Sequence, residues 1–175
     1  MLYFCFILIF ISNEFNIAEI NNKLEIEFES SHLKTASVLL VNKTDILFNK
    51  TYGSFKVKSN TPFNLGSISK SFTALGILQL IENNNLSLNQ NLNEFDNLKK
   101  YLKEDILKKI TVGELLNHTS GLDAMKFKYK KSNQGKFSYS NIGYGLLAKI
   151  IENISKKTYS DYMKENIFNP LNMQN

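Results

Sequence analysis

The stretch from Ile68 to Ile81 limits what this chain can fold into more than any other. Phe72, Ala74, Leu75, Ile77, Leu78, Leu80 and Ile81 are apolar on most sides of a 3.6-residue period, with Gln79 and Glu82 appearing only late. This predicts a core helix rather than a surface one, stopped by Asn83, Asn84 and Asn85, residues that accept a left-handed backbone. Gly66 precedes it, where the chain must turn tightly. At the head of this helix stands Ser67-Ile68-Ser69-Lys70. Positions i and i+3 lie one turn apart on one face, so Lys70 can reach the Ser67 hydroxyl. A serine hydroxyl is a poor nucleophile until a neighbouring base takes its proton. A lysine does so only when desolvation or a nearby cation lowers its pKa, and a buried helix start would supply the first condition. First-turn N–H groups have no intrahelical partner, so the Ser67 amide is available to a developing oxyanion.

The four-residue pattern alone says little. Ser31-His32-Leu33-Lys34 repeats it, but Ser37-Val38-Leu39-Leu40-Val41 follows at once and reads as a strand, so that copy heads no buried helix and is a chance match. Tyr139-Ser140-Asn141 is the only Tyr-x-Asn in the chain. It precedes Ile142, Leu146, Leu147, Ile150, Ile151 and Ile154, spaced as on an amphipathic helix, and so sits in a loop at a helix entrance. By itself it reads as a capped helix start, with Asn141 as N-cap and Tyr139 packing as an aromatic. Chemically, a phenol beside an ammonium can relay a proton, and an Asn amide both donates to and accepts from a substrate amide.

Taken together, four ordered segments resemble the serine β-lactamase-related hydrolases, the group that holds class C β-lactamases, D-alanyl-D-alanine carboxypeptidases and related esterases. They are Phe63-Asn64-Leu65-Gly66-Ser67-Ile68-Ser69-Lys70-Ser71-Phe72-Thr73-Ala74, the stretch 110–122 (ITVGELLNHTSGL), Tyr139-Ser140-Asn141, and Ile167-Phe168-Asn169-Pro170-Leu171-Asn172-Met173. The resemblance runs from about Ala36 to the end. It implies that Ser67 is acylated, Lys70 activates it, Tyr139 shares the proton traffic to the leaving group and Asn141 orients the substrate amide. It also implies an α+β fold of the β-lactamase/transpeptidase type, with an N-terminal β-hairpin, a largely helical region and C-terminal sheet strands.

A third motif, Lys/His-x-Gly on a strand lining the cleft, should by resemblance follow the Tyr-x-Asn, and nothing after Asn141 fits it. Lys50-Thr51-Tyr52-Gly53 and His118-Thr119-Ser120-Gly121 fall too early. Family members are also longer than 175 residues, so the expectation is a partial domain, 19–175, lacking its C-terminal strands. Ala36 to Val41 and Asp45 to Lys50, joined through Asn42-Lys43-Thr44, read as the hairpin. Residues 1–18 are read as a signal peptide or N-terminal anchor: Leu2 to Ile11 is too short to span a membrane, and Ala18 is a candidate cleavage neighbour.

His118, with Ser120 and Asp123 nearby, suggests a Ser-His-Asp arrangement, but such triads are set by geometry, not by nearness in sequence. Thr111-Val112-Gly113-Glu114 has the form of a capping box. The short helix it opens should end near His118, with Gly121 closing the turn, and a ring at a helix C-terminus has a structural role. His32, His118 and Cys5 are the only histidines and cysteine, so no zinc set can be assembled and no cofactor or metal is expected. At 43% hydrophobic and 21% charged the composition is that of a folded globular chain.

The net charge of +5 comes from lysine without a single arginine. Only Lys126-Phe127-Lys128-Tyr129-Lys130-Lys131 clusters charge with aromatics. Without bidentate arginine or a recognisable module, no nucleic acid is expected as a partner, and this run reads as a solvated loop at the cleft rim. Two readings from different classes remain. One is an exported serine hydrolase of the cell envelope or extracellular space, acting through an acyl-enzyme on a D-alanyl peptide, a β-lactam or an ester. The other is a non-catalytic remnant, or one half of a split enzyme whose C-terminal half is separately encoded. Partners are accordingly a small-molecule or peptide substrate, an envelope or membrane surface, or that second half.

Overall fold

The computed structural model describes residues 4–9, 16–53, 58 and 61–173. The chain divides into two compact units, residues up to Gly66 and Ser67–Gln174. In the first, β1 (Phe4–Ile9), α1 (Ile17–Ser30), β2 (Thr35–Val41) and β3 (Ile46–Gly53) follow in order. The expected hairpin is present. β2 and β3 pair antiparallel, with Ala36 opposite Tyr52 and Leu40 opposite Phe48, around a turn in which Asn42 Oδ1 accepts from the backbone N–H groups of Thr44 and Asp45. That Asx turn is why Asn42 suits the connection. β1 lies parallel to the other edge of β2, giving the order β1-β2-β3. Of the Leu2–Ile11 run, residues 4–9 are thus strand and the remainder lies outside the described residues; Ala18 lies in the first turn of α1. Asn16 caps α1, its Oδ1 accepting from Glu19 N.

The second unit contains α2 (Ser69–Glu82), α3 (Glu104–Leu107), α4 (Val112–Leu116), β4 (Ser120–Leu122), β5 (Tyr129–Gln134), α5 (Asn141–Ser155) and α6 (Tyr159–Met163), with a π-helical turn at Lys164–Phe168. The expected helix appears as α2, led in by a 3-10 turn at Gly66–Ile68. Asn84 takes a left-handed φ of 57°, as anticipated for that stop. α2 is not buried all round. Thr73, Gly76, Ile77 and Leu80 face the core, whereas Leu75 and Leu78 are exposed with Ser71 and Glu82. Those four sit at i, i+4, i+7 and i+11, one helical stripe that points away from this unit's core. Gly76 permits close approach: a Cβ there would meet Ile151 Cδ1 at 3.1 Å and the Tyr162 ring at 3.3 Å.

α5 is the amphipathic helix read from the sequence, with Leu146, Leu147, Ile150 and Ile151 at 1% exposure or less. They form one core with Ile77, Leu80, Leu115, Met163 and Ile167. Phe168 meets Phe72 edge-on at 5.5 Å between ring centres, so the Ile167–Met173 segment anchors on α2. The capping box also forms: Thr111 Oγ1 accepts from Glu114 N at 3.3 Å, and Glu114 Oε2 accepts from Thr111 N at 2.9 Å. Two local readings need correction. The left-handed residue after α4 is His118, at φ 57°, while Gly121 lies within β4 at φ 75°, where a Cβ would sit 2.8 Å from the Lys130 carbonyl oxygen. And the lysine-rich run is only half loop, since Tyr129–Gln134 pairs antiparallel with β4.

Candidate active site

Ser67 lies in the turn that opens α2, and Lys70 in that helix's first turn. Lys70 Nζ donates to Ser67 Oγ at 3.4 Å, as the three-residue spacing requires. Tyr139 arrives from 72 residues away, and its hydroxyl shares a 2.7 Å hydrogen bond with Ser67 Oγ. Lys70 Nζ also donates to Asn141 Oδ1 at 2.6 Å and lies 4.8 Å from the centre of the Tyr139 ring. All four residues singled out in the sequence therefore meet in one cluster.

The approach of Tyr139 depends on the loop before α5, which is tied down by the segment after α4. Ser138 N donates to the His118 carbonyl at 2.8 Å, Ser140 N to His118 Nδ1 at 3.1 Å, and Asn141 N to the Ala124 carbonyl at 2.9 Å. Ser140, 1% exposed, donates its hydroxyl proton to the Asp123 carbonyl at 2.8 Å and accepts from Gly143 N at 3.0 Å. Ser140, not Asn141, is thus the N-cap of α5. Asn141 becomes the first helical residue, which frees its amide for the cluster.

The site's electrostatics follow from this packing. The Lys70 ammonium beside it, and then the Ser67 hydroxyl, hold the Tyr139 phenol below its ordinary value of 10. Burial, with a smaller contribution from Lys70, pushes His118 below 6.5. Tyr144, which also packs against the His118 ring, is pushed up by burial. One expectation fails: the helix start is not buried. Ser67 and Ser69 are exposed, because α2 turns its buried face to the core only from Thr73 onward. Asn141 is also more committed than expected. Its Oδ1 serves Lys70, and its Nδ2 donates to Met125 Sδ at 3.0 Å, a weak acceptor. Met125 itself is 69% exposed.

His118 is what the sequence reading undervalued. Its ring lies 4.6 Å from Tyr139 and 5.0 Å from Tyr144, centre to centre, with Phe137 edge-on at 5.8 Å. Its place beside a capping box marked a helix end, but nothing local told which loop 22 residues on would lean on it. The second Ser-x-x-Lys heads no helix, as anticipated. Ser31 is the C-cap of α1, its hydroxyl donating to the Phe28 carbonyl at 2.8 Å.

The fold is of the β-lactamase/transpeptidase type. The chain belongs to the beta-lactamase family, whose profile matches residues 20–175. It is 33% identical over 175 residues to "Penicillin-binding protein 4*" of Bacillus subtilis (strain 168), covering 81% of this chain and 37% of that protein. An octameric penicillin-binding protein homologue from Pyrococcus abyssi superposes with a TM-score of 0.74 at 26% identity, over 91% of this chain and 44% of that one. A class C beta-lactamase shares the fold at a TM-score of 0.79 and 21% identity, over 90% of this chain and 49% of its own. The chain thus spans about 37% of the length of the curated relatives it matches.

Proposed function

We propose that this chain carries the nucleophile half of a serine hydrolase that cleaves an amide or ester through an acyl-enzyme on Ser67, the substrate being a D-alanyl peptide, a β-lactam or an ester. The single observation that carries this is the 2.7 Å contact between Ser67 Oγ and Tyr139 OH with Lys70 against both. Tyr139 accepts the serine proton in this reading, which is supported by a contact much shorter than the 3.4 Å from Lys70 and by the fact that an ammonium donating to Ser67 cannot also accept from it. Lys70 acts by charge, favouring the phenolate that does the accepting. As Ser67 Oγ bonds to the acyl carbon, its proton passes to Tyr139 and from there to the leaving amine or alkoxide. Asn141 Nδ2 exchanges its thioether partner Met125 for the substrate carbonyl, a better acceptor, while Oδ1 stays on Lys70.

The relatives' greater length and the lack of a Lys/His-x-Gly after Asn141 favour a second reading, in which turnover needs strands that residues 1–175 do not supply. The relationship to a penicillin-binding protein supports an envelope or extracellular setting with residues 1–18 as the export segment; no described helix is long and apolar enough to cross a membrane. The test is intact mass after incubation with a reactive β-lactam or a fluorophosphonate. One stoichiometric adduct, lost in Ser67→Ala, is expected; no adduct on a folded chain would leave the second reading.

A further inference from the structure

His118 does more than end α4. Its Nδ1 accepts the Ser140 N–H at 3.1 Å, its carbonyl accepts the Ser138 N–H at 2.8 Å, and its ring lies against Tyr139. The residues on either side of Tyr139 are thus both bonded to this one histidine, by two different atoms. A ring nitrogen that accepts a hydrogen bond carries no proton, so the imidazole is neutral with its proton on Nε2. The titratable groups that face it are Lys70 of α2, Tyr139 of the loop and Tyr144 of α5, and among the described residues no carboxylate bonds to it. None of these is a carboxylate of the kind that usually holds an imidazolium, and Lys70 is a cation that disfavours one.

We propose that His118 is a positioning residue which, only as the neutral imidazole, clamps both flanks of Tyr139 and so holds the phenol on Ser67, making nucleophile activation acid-sensitive through a group that never touches substrate. This rests on the reading of Ser67 as nucleophile and Tyr139 as its base. Protonating Nδ1 turns the acceptor of the Ser140 N–H into a second donor, which breaks one side of the clamp and sets a cation beside Lys70. Burial already holds this imidazole below 6.5, so the clamp is intact at neutral pH and opens only as pH falls below that value. The same sign applies to stability: the unfolded chain takes up the proton first, so stability is full above pH 6.5 and declines as pH falls toward the folded pKa.

Two substitutions separate clamping from packing. His118→Asn keeps an oxygen acceptor near the Nδ1 position and tolerates the left-handed backbone, but cannot titrate. His118→Phe keeps a ring and loses the acceptor. Three quantities are read in the full chain: hydrogen exchange of the Ser140 amide, the Tyr139 phenol titration by carbon NMR (assigned with Tyr139→Phe), and the fluorophosphonate acylation rate between pH 5 and 8. The wild type should show a protected Ser140 amide, a Tyr139 pKa below 10 and a rate with an acid limb below pH 6.5. His118→Asn should keep the first two and lose only the His118 step of the acid limb, leaving the slope that titration of Tyr139 imposes. His118→Phe should expose the amide, return Tyr139 toward 10 and slow acylation by about 10²-fold, the cost of misplacing a reacting group by about 1 Å. A His118→Phe chain with wild-type exchange and Tyr139 titration would overturn the proposal, as would a His118→Asn pH profile that superimposes on the wild type's. If the wild type forms no adduct but exchange and titration respond as described, the clamp stands and the hydrolase reading fails.

Discussion

The chain holds the same four-residue pattern twice, and the two copies behave oppositely. Ser31 ends a helix and Ser67 begins one. At Ser31 the hydroxyl is spent on the Phe28 carbonyl of its own last turn, and α1 buries none of its residues. At Ser67 the hydroxyl faces a tyrosine brought from 72 residues away, and the helix behind it is fixed by Ile77 and Leu80 in the core and by the close approach at Gly76. A serine and a lysine become a chemical pair only when their helix is held still and a third group is delivered to them.

The comparison can be broken at several points. The largest contrast is chemical: Ser67→Ala should abolish fluorophosphonate labelling, whereas Ser31→Ala should label as the wild type does, measured by intact mass. Next, Tyr139→Phe removes only the phenol oxygen and should slow acylation by about 10²- to 10⁴-fold, the usual contribution of general acid–base catalysis. An unchanged acylation rate would mean that Lys70 is the base. Among stability effects, Ile77→Ala opens a cavity at a side chain with no exposure and should cost about 2–5 kcal/mol by chemical denaturation. Ile26→Ala on α1, at a residue 57% exposed, should change stability by less than about 0.5 kcal/mol. Between these two, Ser140→Ala loses the cap of α5 and its bond to Asp123, for about 1–2 kcal/mol, with a looser Tyr139 as the second readout.

Much of this was legible in the residues. α2, the hairpin, the capping box at Thr111 and the amphipathic α5 all follow from local periodicity and cap chemistry, which depend on neighbours within a few positions. The Ser67–Lys70 pairing is of the same kind. What could not be read were features fixed by distant partners. Ser140 displaced Asn141 as the N-cap because the Asp123 carbonyl orients its hydroxyl. His118 took the left-handed turn assigned to Gly121, and Gly121 was needed in β4, where the Lys130 carbonyl leaves no room for a Cβ.

The sequence by itself determined the helix that carries Ser67 and Lys70, the residue types available for chemistry and their family. Each is settled by short-range spacing or by the order of motifs along the chain. Only the tertiary structure decided which oxygen Ser67 bonds to and that Lys70 reaches Asn141. It alone showed that a histidine, read as a mere helix end, grips both sides of Tyr139. Those contacts join residues 20 to 72 positions apart, and their distances are set by how α2, the segment after α4 and the entrance of α5 pack on one core.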